Sequence, residues 1–393
     1  MMMFGKLQAA FMARILATHS ATAPPVILHH RIGSAFSKRA RQTLALKQNV
    51  QFYQCIHAGD MPGTRLALSE LAGGYRRVPV LQVGSDVYCG SDTIAWYLER
   101  RHAFPSLFPS SESSGPPSDI KNASIGTILH EYVDQILWPQ LVPLRHSYKL
   151  PESQKADREK LYKMTGEEAP KHLSDARAAF AKYCHLLAFQ LGPNNFIHNT
   201  SAPHWSDLVM STPVHAVVNG WKVVEKDSEV SSIWSHYGRI LKPWMERINR
   251  ACETTHDIIQ LTPADTLGVA MNYQSLEQPG IMNCGDGLLV GNEVEVYPGG
   301  RDDIGKNPKE LPEPPVRGRV YSSSPLHITL ARKVSLRDGD GFKDVQLTVS
   351  FMRGRLATKK LGDTTTNKSA TPSSPPDTST KQKPFIYPGD LKR

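Results

Sequence analysis

The sequence predicts an α/β domain followed by an all-helical domain and a small β module, and three observations predict it. From Val26 to Tyr97 the segments run strand, helix, strand and then strand, turn, strand, helix, which is the order of a small α/β sandwich. Residues 119–258 change to helical period over several long stretches. After Thr262 the period changes again, to short alternating strands separated by Gly and Pro turns.

The first domain, residues 24–110, starts where Pro24-Pro25 ends a leading extension. "VILHH", Val26 to His30, reads as a buried strand. The helix "SKRARQTLALKQ" follows, with Ala40, Leu44 and Leu46 as a thin apolar face and Lys38, Arg39, Arg41 and Lys47 around the rest. "VQFYQCIHA" is the next strand. In "GGYRRVPVLQVGSDVYCGSDTIAWYLERR", Pro79 stands between Val78 and Val80 in a strand-like run, where it cannot donate a ladder hydrogen bond. The chain then turns at Gly84-Ser85-Asp86, forms a short strand at Val87 and Tyr88, and starts a helix near Ser91.

Phe104 to Ser118 is rich in Pro, Ser and Gly and marks a linker. The helical domain, residues 119–258, is carried by "ASIGTILHEYVDQILWPQLVPLR", "HLSDARAAFAKYCHLLAFQL", "WSDLVMSTPVHAVVNGW" and "IWSHYGRILKPWMERINRAC". The β module, residues 262–360, is carried by "VEVYP", "RGRVYS", "LHITLAR" and "VQLTVSF". Each of these strands has one apolar face that needs a partner surface, so the module is expected to fold against the helical domain, or in a rival reading to make a dimer contact. Residues 361–393 are Thr/Ser/Pro/Lys-rich and expected to be disordered.

Composition bounds the function. With 393 residues and an apolar share of 40%, the chain has the length for two or three domains with real cores. Cys55, Cys89, Cys184, Cys252 and Cys284 form no CxxC pair, which argues against a disulfide framework and a zinc site and for a reducing compartment. No apolar run approaches the roughly 18 to 20 residues of a membrane span, so no integral membrane segment is expected. Seven Lys and Arg and no acid precede Asp60, within a formal charge of +9. Without an RNP-like, zinc-finger or helix-turn-helix signature, this charge predicts no nucleic-acid partner. Residues 1–23, with Lys6, Arg14 and no acid, read as an unstructured extension of a cytoplasmic protein or as a mitochondrial transit peptide.

Histidines and tryptophans take plain readings. His29 and His30 end a strand with no carboxylate or cysteine at ligand spacing, so no metal is assigned to them. Trp138, Trp205, Trp221, Trp234 and Trp244 read mostly as core, with one or two of them lining an apolar pocket.

"GYRRVPVL" followed by "GSDTIAWYLE" resembles the valine-proline strand and serine-capped helix of the soluble glutathione transferases, and within them the fungal glutathione-transferase-like proteins with an extra C-terminal segment. The resemblance is strongest over Pro24 to Pro109, and "APHWSDLVM" is similar to the family's buried helix start around Asp207. It implies a thioredoxin-like first domain and glutathione as cosubstrate. It also implies that Pro79 is cis and turns the backbone of Val78 to glutathione as an added strand would; without the resemblance, a trans proline on an edge strand is the plain reading.

The same resemblance makes Ser91, at a helix N-terminus, the partner of the γ-glutamyl carboxylate, a role compatible with ordinary N-capping. Gly90 departs from the pattern, because the family commonly has an acidic or amide residue there to grip the γ-glutamyl ammonium, and Asp92 is expected to point elsewhere. Within "GSAFSKRAR", Ser34 takes the place of the hydroxyl that meets the glutathione sulfur, with Ser37 one turn on. A donated O–H favours thiolate, and the helix N-terminus with Lys38, Arg39 and Arg41 adds positive potential. Both serines read equally as helix caps. The implied site is thus Ser34 and Ser37 for catalysis, with Lys38, Arg77, Val78, Pro79, Gly90 and Ser91 holding glutathione. The implied activity is addition of glutathione to, or isomerisation with it of, an electrophilic small molecule, in secondary metabolism or detoxification. Two alternatives stay open: a non-catalytic binding or regulatory protein of the same fold, and homodimerisation.

Overall fold

Val26–His30 forms β1 with all five residues buried, as expected of a strand covered on both faces. The computed structural model describes residues 23–57, 65–102, 104–108, 119–146, 159, 164, 167–253, 258–281, 286–298, 303, 304, 306, 311, 314–324, 326–338, 341–353 and 356–361. The expected leading extension before residue 23, most of the linker and the tail from residue 362 lie outside them. The described residues through Leu361 belong to one compact unit.

After β1 come α1 (Ala35–Leu46), β2 (Tyr53–Ile56), a short α2 (Leu66–Leu71), β3 (Val80–Val83), β4 (Asp86–Cys89) and α3 (Ser91–Arg101). β1 pairs in parallel with β2 and antiparallel with β3, which pairs antiparallel with β4. Pro79 immediately precedes β3, so it takes no donor from the ladder, and the Val78-Pro79 bond is cis.

The helical region holds α4 (Asp119–Glu131), a π-helical segment Tyr132–Leu137, α5 (Trp138–His146), α6 (Leu173–Leu191), α7 (Trp205–His215), a second π-helical segment Ala216–Gly220 and α8 (Ser228–Ala251). Asp207 at the start of α7 is fully buried. It accepts from the backbone N–H of Ile197 and of His204 and from Trp244 Nε1, each at 3.0 Å. This carboxylate ties the α6–α7 connection to α8.

The last region corrects the sequence reading twice. It opens with a helix, α9 (Pro263–Asn272), because Thr262 and Asp265 form a capping box with proline at the first helical position. β5 (Gly280–Ile281), β6 (Glu293–Tyr297), β7 (Val316–Ser323), β8 (His327–Asp338), β9 (Gly341–Met352) and β10 (Ala357–Lys360) follow. They do not form a separate module packed on the helices. They continue the first domain's sheet, in the order β10-β6-β7-β8-β9-β4-β3-β1-β2, with β5 beside β7 and with β4 and β9 parallel. Without β9, β4 would present an open row of backbone donors and acceptors, and pairing removes that edge. The apolar alternation is satisfied on the same surface: Val87 and Cys89 of β4 share a core with Leu347, Val349 and Phe351 of β9 and with Leu68 and Leu71 of α2. On the opposite face of the sheet, Leu28, Leu81 and Tyr88 join the main core with α1, α3 and the helical region.

Candidate functional site

Strand register gathers the expected site at one edge of the sheet. His29 stands opposite Val80, and Val80 opposite Cys89, so the end of β1, the start of β3 and the end of β4 lie in one row. The turn Arg31 to Ser34, the Val78-Pro79 bond and the Gly90-Ser91 step all leave the sheet from that row. Strand ends of this kind are where open α/β sheets place ligands.

Ser34 is the N-cap of α1, half-buried, and its Oγ accepts from the backbone N–H of Ser37 at 3.3 Å. Ser37 is 1% exposed, and its hydroxyl accepts from the backbone N–H of Arg31 at 3.2 Å, inside the turn. Its hydroxyl therefore braces the loop that carries Ser34. Arg77 and Val78 are half-buried before Pro79, whose carbonyl accepts from Gly90 N–H at 3.1 Å.

Gly90 has φ 94° and ψ 154°, a conformation that favours glycine. The carboxylate nearest this position is that of Asp92, in the first turn of α3. A Cβ at position 90 would lie 2.7 Å from Asp92 Oδ1, so Asp92 folds back over the space that a side chain on residue 90 would fill. Asp92 also accepts from Thr93 N–H at 2.8 Å. The expectation that Asp92 points elsewhere is thereby corrected.

Ser91 is 4% exposed and receives the guanidinium of Arg39, from Nε at 3.0 Å and Nη2 at 2.6 Å. Arg39 is itself 1% exposed and donates to Asp134 Oδ1 at 3.1 Å and Oδ2 at 2.8 Å. His130, one helical turn before Asp134, lies 3.0 Å from its Oδ2 and 4.0 Å from Asp92 Oδ2. Burial pushes the Asp134 carboxyl up, but Arg39 and His130 outweigh it and hold that carboxyl far below its ordinary range. Burial pulls His130 down, and Asp134 with Asp92 more than reverses this, raising it. Asp92, His130 and Asp134 are the functional candidates that sequence reasoning missed. The available signal was the i, i+4 pair His130 and Asp134 inside the otherwise apolar "ILHEYVDQILW".

Lys38 faces away from Ser91. Its Nζ lies 3.3 Å from His215 Nδ1, in a narrow cleft lined also by Gln42, Ser211, Met245 and Asn249. Burial, then Arg41, lowers the Lys38 ammonium, and burial, then Lys38, pulls the imidazole of His215 down to about 4. Next to Ser34, Ala35 starts an apolar wall: the Phe36 and Trp138 rings lie 4.4 Å apart, and Trp138 and Trp221 5.2 Å. Trp205 and Trp244 are core residues.

Residues 28–109 match the family model described as the glutathione S-transferase N-terminal domain. No curated protein matches the chain. Among solved structures, a GST-like protein from Pseudomonas syringae is similar in fold, with TM-score 0.59 and 21% identity over 86% of this chain and 99% of that one. A glutathione transferase from Phanerochaete chrysosporium matches with TM-score 0.41 and 17% identity, over 60% of this chain and all of that one. A rice glutathione transferase, solved in complex with glutathione, matches with TM-score 0.37 and 17% identity, over 57% of this chain and 90% of that one. Residues 28–109 thus match a GST N-terminal domain, and the thioredoxin-like N-terminal domain, helical region and C-terminal strands of the chain are similar in fold to a GST-like protein.

Proposed function

We propose that the row of strand ends at His29, Val80 and Cys89 carries a glutathione site, and that the bound thiol is added to an electrophilic organic molecule. The row is the observation that carries the reading, because it draws three separate segments of a GST N-terminal domain to one edge. The backbone of Val78 takes the cysteinyl part as an added strand. Ser91 and the first turn of α3 take the γ-glutamyl carboxylate. A hydroxyl that accepts twice from a guanidinium keeps its own hydrogen to donate, and the cation polarises it. Asp92 serves the γ-glutamyl ammonium in place of a side chain at position 90.

The thiol proton leaves to solvent, and the Ser34 hydroxyl donates a hydrogen bond to the glutathione sulfur, which favours the thiolate. The thiolate then forms a carbon–sulfur bond to the electrophile, which lies against Phe36, Trp138 and Trp221, and the leaving group departs with the bonding pair. Detoxification or secondary metabolism is the setting that such chemistry suits. A second reading, binding without turnover, is favoured by the enclosure of Ser91 by Arg39 and the engagement of Ser34 as a cap.

Retention on immobilised glutathione, then turnover of a halogenated nitroaromatic, separates the readings. Retention that Asp92→Ala weakens, together with turnover, supports the enzyme. Retention alone supports the second reading, and loss of both results overturns the site.

A further inference from the structure

On the face of the sheet turned towards α9, three potential metal ligands meet. β1 and its parallel neighbour β2 place His29 and Cys55 side by side in register, and His57 follows two residues beyond Cys55. The three are 0%, 0% and 4% exposed. Their ligand atoms all lie within 4.8 Å of one another, with His29 Nδ1 and His57 Nε2 at 3.1 Å. Among the described residues no further His, Cys, Asp or Glu joins the group.

The hydrogen bonds around this trio set its chemistry. The Gln82 amide nitrogen donates to the carbonyls of Gly84 and Thr266, both at 2.9 Å, so its oxygen faces His29 Nε2 at 3.0 Å. His29 Nε2 therefore carries the hydrogen, and its Nδ1 lone pair points into the cluster, the outer-sphere arrangement usual for a ligating imidazole. A thiol ligates as the thiolate, so an entering metal must displace the Cys55 proton. Asp265 near Cys55 and Arg65 near His57 carry opposite charges, so the surroundings oppose a bound cation less than Arg65 alone would.

We infer that His29, Cys55 and His57 form a binding site for a zinc-class divalent ion. Zinc takes imidazole nitrogen at about 2.0–2.1 Å and thiolate at about 2.3 Å, which in a tetrahedral site separates ligand atoms by roughly 3.3–3.6 Å. The present spacing reaches that with movements on the order of 1 Å. As the ion enters, the Cys55 proton leaves to solvent and the His57 hydrogen moves from Nε2 to Nδ1, so each ligand atom offers a lone pair. Three protein ligands leave a fourth position for water. The ion would tie β1 to β2 beneath α9, and it is independent of the glutathione reading.

Full-length protein, purified without a metal-affinity column, is assayed for metal by mass spectrometry. It is then unfolded with chelator and refolded with Co²⁺ alone. The expected results are roughly one equivalent of zinc in the native preparation and, after refolding, a thiolate-to-cobalt absorption band. Cys55→Ser should abolish the band, and Cys252→Ser should keep it. Should Cys55→Ser fail to fold, His57→Gln serves as a second variant, with a band at least ten-fold weaker at equal Co²⁺ expected. A metal-free native preparation whose refolded form shows no band overturns the site, as does a band unchanged in Cys55→Ser or His57→Gln. In that case the trio is a hydrogen-bonded packing cluster.

Discussion

The Nη2 of Arg39 on α1 meets Asp134 Oδ2 in the helical region at 2.8 Å, with the arginine side chain fully buried. This ion pair joins the thioredoxin-like domain to the helices and at the same time holds Ser91. Asp134→Asn should leave a buried guanidinium without countercharge and cost about 3–5 kcal/mol in denaturant unfolding. The double change Arg39→Met with Asp134→Leu should cost less than Asp134→Asn alone. An equal or larger loss in the double variant would show that packing, not charge, sets the value.

Stability should depend on pH with two opposed slopes. His130 is raised in the fold, so its contribution is fully present below the ordinary histidine value and is lost as pH rises through the folded value. His204 and His215 are pulled down to about 4, chiefly by burial. The unfolded chain therefore binds more protons between about pH 6.5 and 4, and stability falls as pH drops through that window. Thermal melts from pH 4 to 9 should pass through a maximum, and His130→Gln should remove the alkaline slope while leaving the acid one.

Ser34 has two roles to separate. As the N-cap of α1, its change to alanine should cost about 1 kcal/mol of stability, and its change to glycine only a few tenths. If its hydroxyl also serves the thiol, both variants should lose about 10²-fold to 10³-fold in turnover with glutathione. Stability that follows the cap pattern with turnover unchanged would confine Ser34 to capping.

Asp207→Ala should be among the most damaging changes in the helical region. It strands the N–H groups of Ile197 and His204 and the indole N–H of Trp244, and each buried unsatisfied donor costs about 1–3 kcal/mol. Asp207→Asn, which keeps an acceptor, should lose less, as read by the thermal midpoint and by the buried fluorescence of Trp244.

Local pattern carried β1, α1 and the β3–β4 hairpin, because five apolar or buried-type residues, a helical apolar face and a Gly84 turn are each decided within a few residues. The cis bond at Pro79 followed from the family resemblance rather than from period. Helical period assigns Arg39 to a polar surface, since nothing local indicates that Asp134, 95 residues later, neutralises it inside the protein. The pairing of β9 with β4 is equally silent in sequence, because alternation predicts a strand but not its neighbour. Thr262 to Asp265 did hold a helix-start signal, which the stronger strand pattern after it obscures. The trio His29, Cys55 and His57 needs the β1–β2 register, since their spacing along the chain follows no ligand motif.

The parallel pair of β4 and β9 has a consequence for biosynthesis. Asp86 and Thr348 are register partners, and the Thr348 hydroxyl donates to the Asp86 carboxylate across 262 residues of chain. As the protein emerges from the ribosome, β4 waits with a bare edge until nearly the whole described chain has been made. The sheet of the GST N-terminal domain is thus made well before the strand that completes it, so a chaperone that shields strand edges has a long window on this segment. A premature stop anywhere between α3 and β9 would release a sheet with that edge still open to the nearest matching strand.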